Sequence, residues 1–341
     1  ETVMPKQTFH YGDRREFLRR TALGVGAGLA LPNLFLNKTL AATGQNPSEF
    51  IRLGVIGTGG QGVSNMRAMI KNVVAVCDVD QSHVATAAAL VEKANGRKPA
   101  VFSDYRKLLE DKSIDAVLVA TPDHWHAIIT VMAIKEGKDV YCEKPVTHTI
   151  HEGLAVIDAA TKYARIVQVG SQQRSSKNFR DAVNFVRNGY IGDVKVIKEI
   201  SSEKFPVNFN QKTIDPPEYM DWDMWMGPSK YFDYNELLLP DVSVRNFPAW
   251  RSFKEWGGGG ISDLGAHMFD IAQWGLDMDT SGPVEVLPPG FGAETLTFKY
   301  ANGVVMKKED FGMGGMAVMF EGTEGWVAAG RWWMKTCDKL K

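Results

Sequence analysis

The stretch IRLGVIGTGGQG, residues 51–62, decides the fold. An apolar run feeds Gly57-x-Gly59-x-x-Gly62, a pattern that is common by itself. Here it has a strand-like lead-in, a helix-compatible exit NMRAMIK at 65–71, and a second apolar run VVAVCD that ends in Asp78. Gly57 permits a tight turn, Gly59 lets the backbone approach a diphosphate, and Gly62 lets a helix pack closely on the sheet. Thr58, Gly60 and Gln61 complete the loop, and the amides at the helix start supply donors and a positive dipole end. Asp78 follows where a carboxylate would accept hydrogen bonds from an adenosine ribose and repel a 2'-phosphate, so the spacing points to NAD rather than NADP.

Outward from this stretch the alternation continues. SIDAVLVATP (113–122), DVYCEKP (139–145) and RIVQVGSQQR (165–174) read as buried strands separated by helical segments. The expected fold class is α/β, a doubly wound parallel sheet. Ligands bind beyond the carboxyl ends of such strands, which gathers Thr121, Pro122, Glu143, Lys144 and Gln172 at one edge with the glycine loop.

The chain has 341 residues, long enough for two domains: 44–172 for the nucleotide and 173–341 for the substrate, after a leader and linker at 1–43. A formal net charge of -1, without a basic run beyond the leader, argues against nucleic acid as a partner. Three scattered cysteines build no disulfide framework, and Cys77 and Cys142, each ending an apolar run, read as small buried hydrophobes. His124-x-His126 and His148-x-x-His151 lack cysteine or carboxylate partners at zinc-like spacing, so no metal is expected.

DRREFLRRTALG, residues 13–24, places adjacent arginines before a mild apolar run to Leu36 and reads as a twin-arginine export signal. It implies the export machinery as a partner and a periplasmic or otherwise exported protein, tethered to the membrane if the leader is retained. That route carries folded cargo, so a nicotinamide cofactor would have to be bound before export and stay bound.

Five motifs now stand in order: IGTGGQG, CDVD at 77–80, TPDHWHA at 121–127, EKPVTHT at 143–149 and GGGGISDLGAHMFD at 257–270. In these the chain resembles the glucose-fructose oxidoreductase, inositol dehydrogenase and MocA family, Gfo/Idh/MocA. The resemblance implies a Rossmann domain followed by an α+β domain with a large open, mostly antiparallel sheet that makes a homo-oligomer contact. It adds His126 to the cofactor set and assigns the catalytic roles to Lys144, Asp263 and His267. Lys144 follows an apolar strand and precedes Pro145, which favours an extended backbone. There a cation can orient a hydroxyl and stabilise the alkoxide that develops as hydride leaves. Asp263 and His267 share one face of a helix that Ser262 could cap, with His267 the base.

The implied substrate is a secondary hydroxyl of a sugar, polyol or glycoside. The other reading is an NAD-dependent, redox-neutral glycosidase like those of family 109, although no Tyr-x-x-His element like theirs is present. Tyr219, Trp222, Trp225, Tyr231, Phe232, Tyr234, Trp250 and Trp256 could pack as core or face a sugar. Trp250 and Arg251 are the first candidates for sugar contact, followed by His148, Arg174 and Tyr190. Relatives continue with more strands and a helix where this chain ends in RWWMKTCDKLK, which raises a truncated second domain and exposed Trp332 and Trp333 as expectations.

Overall fold

The computed structural model describes residues 50–201, 212–239 and 248–340, so the twin-arginine stretch lies outside the described residues. The first half alternates strands and helices: β1 (Leu53–Ile56), α1 (Gly60–Ala68), β2 (Val73–Cys77), α2 (Gln81–Asn95), β3 (Ala100–Phe102) and α3 (Tyr105–Glu110). It continues through β4 (Ala116–Val119), α4 (Asp123–Lys135), β5 (Asp139–Cys142), α5 (Ile150–Tyr163) and β6 (Val167–Val169). The sheet order is β3-β2-β1-β4-β5-β6 with every pair parallel, the doubly wound arrangement expected.

Helices cover both faces, which is why the central strands are continuously apolar. Ile56, Val117 and Val119 point into one core with Leu108, Ile129 and Ile134. Their neighbours Val55 and Leu118 point into the other with Met66, Val84 and Val91. Local chemistry fixes the helix ends. Asp80 caps α2 by accepting from the Ser82 and His83 amides, and Gly96 at φ 70° closes it. Thr149 and Glu152 form a capping box on α5.

The second half contains α6 (Lys177–Arg187), β7 (Val194–Ile200), α7 (Trp222–Met226), α8 (Ala266–Gly275) and strands β8 (Glu285–Leu287) through β13 (Trp333–Thr336). Between these last two come β9 (Thr297–Lys299), β10 (Val305–Lys308), β11 (Ala317–Gly322) and β12 (Trp326–Gly330). The sheet order is β13-β12-β11-β7-β10-β9-β8, antiparallel except for β7 with β10. One face packs under α6 and α8, where Phe179, Val183, Met268 and Ile271 meet Ile197, Met306, Val318 and Phe320. A Cβ on Gly275 would fall 2.5 Å from the Phe320 ring, so only glycine lets α8 lie this close to the sheet.

Most of the aromatic stretch is core. Trp222, Trp225, Tyr234, Trp250 and Trp256 are buried together, with Trp222 stacked on Trp225 at 4.7 Å; Tyr219 and Tyr231 are exposed. This lobe pairs with the nucleotide domain through an Asp80–Met220 bridge, Gln81 N–H to Tyr219 O (2.9 Å) and Asp221 N–H to Val79 O (3.0 Å). Trp332 is 90% exposed, as expected. Trp333 is not: it is half-buried at the start of β13, with the Lys335 ammonium 5.5 Å over its ring. Cys77 and Cys142 are buried free thiols, and burial pushes Cys142 up to about 12, so it stays a thiol.

Candidate active site

The nucleotide end is built by β1, α1 and β2. Gly57 lies at φ 85° and donates to Cys77 O at 2.9 Å; a Cβ there would sit 2.7 Å from the Ala120 carbonyl. A Cβ on Gly62 would come within 1.9 Å of Gly57 O. These two glycines are demanded by the protein's own packing. Gly60 has nothing within 4 Å of its would-be Cβ, and Gly59 meets only the His83 ring at 3.6 Å, so this side of the loop is open to a ligand. No side chain caps α1 at Gly59, which leaves its first amides for an anion. An open glycine cradle over an uncapped helix N-terminus fits a dinucleotide diphosphate.

Asp78 stands beside this loop. Its Oδ2 accepts from the Thr58 amide (2.6 Å) and hydroxyl (3.1 Å), and Oδ1 from the Asp80 amide (3.0 Å). Burial pushes its pKa up, while His83 and these donors oppose the rise. The carboxylate thus ties β2 to the glycine loop, with both oxygens accepting from the protein's own donors. From Gln61 a relay runs to Asn65 (2.8 Å) and on to the buried Glu143 (2.5 Å), linking the loop helix to the end of β5.

The other end is assembled from both domains. The Lys144–Pro145 peptide is cis. Lys144 Nζ donates to Asp263 O (2.9 Å) and Oδ1 (2.5 Å), and Arg251 Nε lies 3.3 Å from Asp263 Oδ2. Arg251 also lies over the Trp250 ring at 4.3 Å. Asp263 sits in a π-helical turn, Ile261–Gly265, that runs into α8. The expected Ser262 cap is therefore not made: Ser262 is inside the turn, which holds the buried Asp263 against Lys144, while His267 follows in the first turn of α8. Burial, Lys144 and Arg331 hold His267 down to about 4, with Asp263 pulling the other way. Lys144, Pro145, Thr147, Ser171, His267 and Asp270 line an open cleft of about 320 Å³.

Other predicted residues take different places. His126 is fully buried, with Nδ1 2.7 Å from Pro145 O and Nε2 2.7 Å from Thr121 O. Its ring braces the backbone around the cis peptide instead of facing the loop. Gln172 is exposed, whereas its neighbour Gln173 is buried. Arg174 is committed to Asp270 (2.8 and 2.7 Å) and Asp279 (2.7 Å), and Trp250 belongs to the aromatic core, so neither presents a free sugar contact. His148 is half-buried, and its amide donates to Glu152 at the start of α5.

Sequence reasoning missed Asn65, Asp270 and above all Asp123. Asp123 is buried behind Pro122, with Oδ2 making no hydrogen bond; the Thr121 hydroxyl next to it is also unpartnered. Burial first, then Asp263, raises Asp123 to about 7, against Arg251 and Lys144. Its position inside TPDHWHA, one residue past a strand-ending Thr-Pro, was the available signal.

Known proteins match this arrangement domain by domain. Residues 51–171 match the NAD-binding Rossmann fold of the Gfo/Idh/MocA oxidoreductase family, and 204–327 match its C-terminal alpha/beta domain. An alpha-N-acetylgalactosaminidase of Shewanella oneidensis is 29% identical over 206 residues, 54% of this chain and 45% of the relative. Inositol 2-dehydrogenase 1 of Saccharopolyspora erythraea is 34% identical over 149 residues, 42% of this chain and 43% of that one. The chain thus spans less than half the length of these curated relatives. Among solved structures, myo-inositol 2-dehydrogenase from Lactobacillus plantarum shares the fold with a TM-score of 0.58 at 21% identity, over 83% of this chain and 77% of that one. A levoglucosan dehydrogenase in complex with NADH and levoglucosan gives 0.59 at 21% identity, over 84% and 76%. With both family domains matched in series over more than half of its length, the chain belongs to the Gfo/Idh/MocA oxidoreductase family.

Proposed function

We propose that this protein transfers hydride between a tightly held NAD and a carbon bearing a secondary hydroxyl in a sugar, polyol or glycoside. The observation that carries the reading is the meeting of Lys144 with the buried Asp263, 119 residues away in sequence, with Lys144 and His267 both lining one open cleft. An ammonium has three N–H groups, and Asp263 takes two, leaving one for a substrate oxygen. His267, held neutral across the physiological range, can accept the hydroxyl proton while Lys144 stabilises the developing alkoxide. Bound NAD supplies the hydride acceptor. A cleft of about 320 Å³ suits a monosaccharide-sized ligand. The adjacent arginines at 14–15 and the apolar run behind them support export of the folded, cofactor-loaded enzyme as part of the same proposal.

A second reading rests on similarity to the alpha-N-acetylgalactosaminidase and to glycosyl hydrolase family 109 proteins. There the same first oxidation would be followed by elimination, water addition and re-reduction, with no net redox change. The deciding experiment is to purify the protein without added cofactor, denature part of it and identify any released nucleotide. The remainder is tested against sugars, polyols and glycosides at 340 nm and by chromatography, with Lys144→Ala as the control. Released NAD and a rise in absorbance establish the dehydrogenase. Glycoside cleavage without net absorbance change selects the second reading, and a protein that neither contains nor binds NAD overturns both.

A further inference from the structure

Asp123 is a buried ionisable group that the steps above leave unused. It is 3% exposed, begins α4 at the end of β4, and its Oδ2 meets no hydrogen-bond partner. Both cations of the site pair with the neighbouring carboxylate, Lys144 on Asp263 Oδ1 and Arg251 on Asp263 Oδ2. Among the described residues no ion pair reaches Asp123. A buried carboxyl beside a carboxylate whose oxygens are already claimed is poised to take a proton.

Charge balance gives that proton a use. Oxidation of CH–OH removes a hydride and a proton, and the nicotinamide passes from positive to neutral. If the proton stays on a buried carboxylate that shares the field of Asp263, Arg251 and Lys144, the net charge is unchanged: CH–OH, oxidised cofactor and Asp123 carboxylate become C=O, reduced cofactor and Asp123 acid. His267, held near 4, gives up a proton readily and is a poor place for one to rest.

We propose that Asp123 is the proton-holding residue of the site, ionised when the oxidised nicotinamide is bound and protonated when the reduced one is. This rests on the oxidoreductase reading above. The groups that bear on it are Asp263 from the π-helical turn, Arg251 from the turn Ala249–Ser252, Lys144 and Cys142 from the end of β5, and His124 and His126 on its own helix. Burial holds His124 near 4 and holds His126 below its ordinary value, while Cys142 stays a thiol. Near neutrality, then, Asp123 and not the two imidazoles or the Cys142 thiol changes its proton.

The test needs no substrate. Cofactor-free protein is titrated calorimetrically at pH 7 with NAD and with NADH, each in two buffers of different ionisation heat, and the protons exchanged are counted. NAD binding should release protons and NADH binding take them up, with a difference approaching one. The difference should vanish in Asp123→Asn. Equal counts for the two forms, or a difference that survives in Asp123→Asn, would overturn the assignment. If the variant fails to fold or bind, the wild type decides: its preference for NADH over NAD should fall with rising pH, approaching tenfold per pH unit around neutrality. A flat ratio from pH 6 to 9 overturns it. Failure of both forms to bind overturns the oxidoreductase reading, and with it this one.

Discussion

The two ends of the site are made in opposite ways. The nucleotide end comes from one contiguous stretch, residues 53–78, whose glycines, strand and carboxylate are fixed by local sequence. At the reaction end, Lys144 and Asp123 come from the nucleotide domain, Arg251 and Asp263 from the second. The first end is held by steric exclusion around glycine. The second is held by compensation among buried charges, so its properties belong to the set and not to single residues.

The largest effect should come from breaking steric exclusion. Gly62→Ala places a methyl 1.9 Å from Gly57 O, backbone that cannot yield without opening the turn. Calorimetry should find NAD affinity reduced more than 100-fold, and thermal melting a stability loss of roughly 1–3 kcal/mol, the usual range for overpacking. Unchanged binding would show that the loop does not seat the nucleotide.

At the reaction end the outcome should be reversed. Lys144→Ala removes the group proposed to face the developing alkoxide, and turnover of any substrate found should fall about 10³-fold, the scale of losing one preorganised donor. NAD binding by the same variant should change by only a few fold. Loss of binding comparable to that in Gly62→Ala would erase the distinction between the two ends.

Charge compensation also predicts a stability signature. Asp123 has its folded pKa raised to about 7 from 3.8, so its stabilising contribution is complete below 3.8 and is lost as pH rises towards 7. His267 and His124 are depressed to about 4 from 6.5, so theirs is complete above 6.5 and is lost as pH falls towards 4. Between pH 5 and 7 the two slopes oppose each other in the wild type. In Asp123→Asn the opposing slope that Asp123 supplies is gone, and urea unfolding should show stability rising from pH 5 to pH 8 by about 1–3 kcal/mol more than in the wild type. Parallel profiles would mean that Asp123 is already ionised at pH 5.

Legibility followed the same division. Gly62 and Asp78 could be read from sequence because each role depends on neighbours within some twenty positions, Gly57 O and Thr58; Gly57 could be read from the tight turn it makes, although the Ala120 carbonyl that excludes a side chain there is remote in sequence. The parallel sheet was legible for a similar reason, since continuous apolar strands separated by helices leave little choice of topology. The assignment of Trp250 to a sugar could not be decided, because core and ligand face look alike until the packing of Trp222, Trp225 and Trp256 is known. Arg174 was equally opaque: Asp270 and Asp279, which claim its guanidinium, lie about a hundred residues away. Asp123 was passed over because its charge state depends on Asp263, Arg251 and Lys144 together.

Gln172 makes the smallest and most discriminating test of the nucleotide end. Strand-edge logic placed it in the cofactor set, yet it is exposed in the turn Gln172–Ser175 while Gln173 beside it is buried. An exposed amide exchanges water for a ligand with little net gain, so Gln172→Ala should alter NAD affinity by no more than about twofold. Gln173→Ala removes a buried polar side chain and should cost stability of roughly 1 kcal/mol, measured by urea unfolding. If Gln172→Ala instead weakens NAD tenfold, the edge of β6 closes on the cofactor, and the nucleotide end is no longer the work of one contiguous stretch.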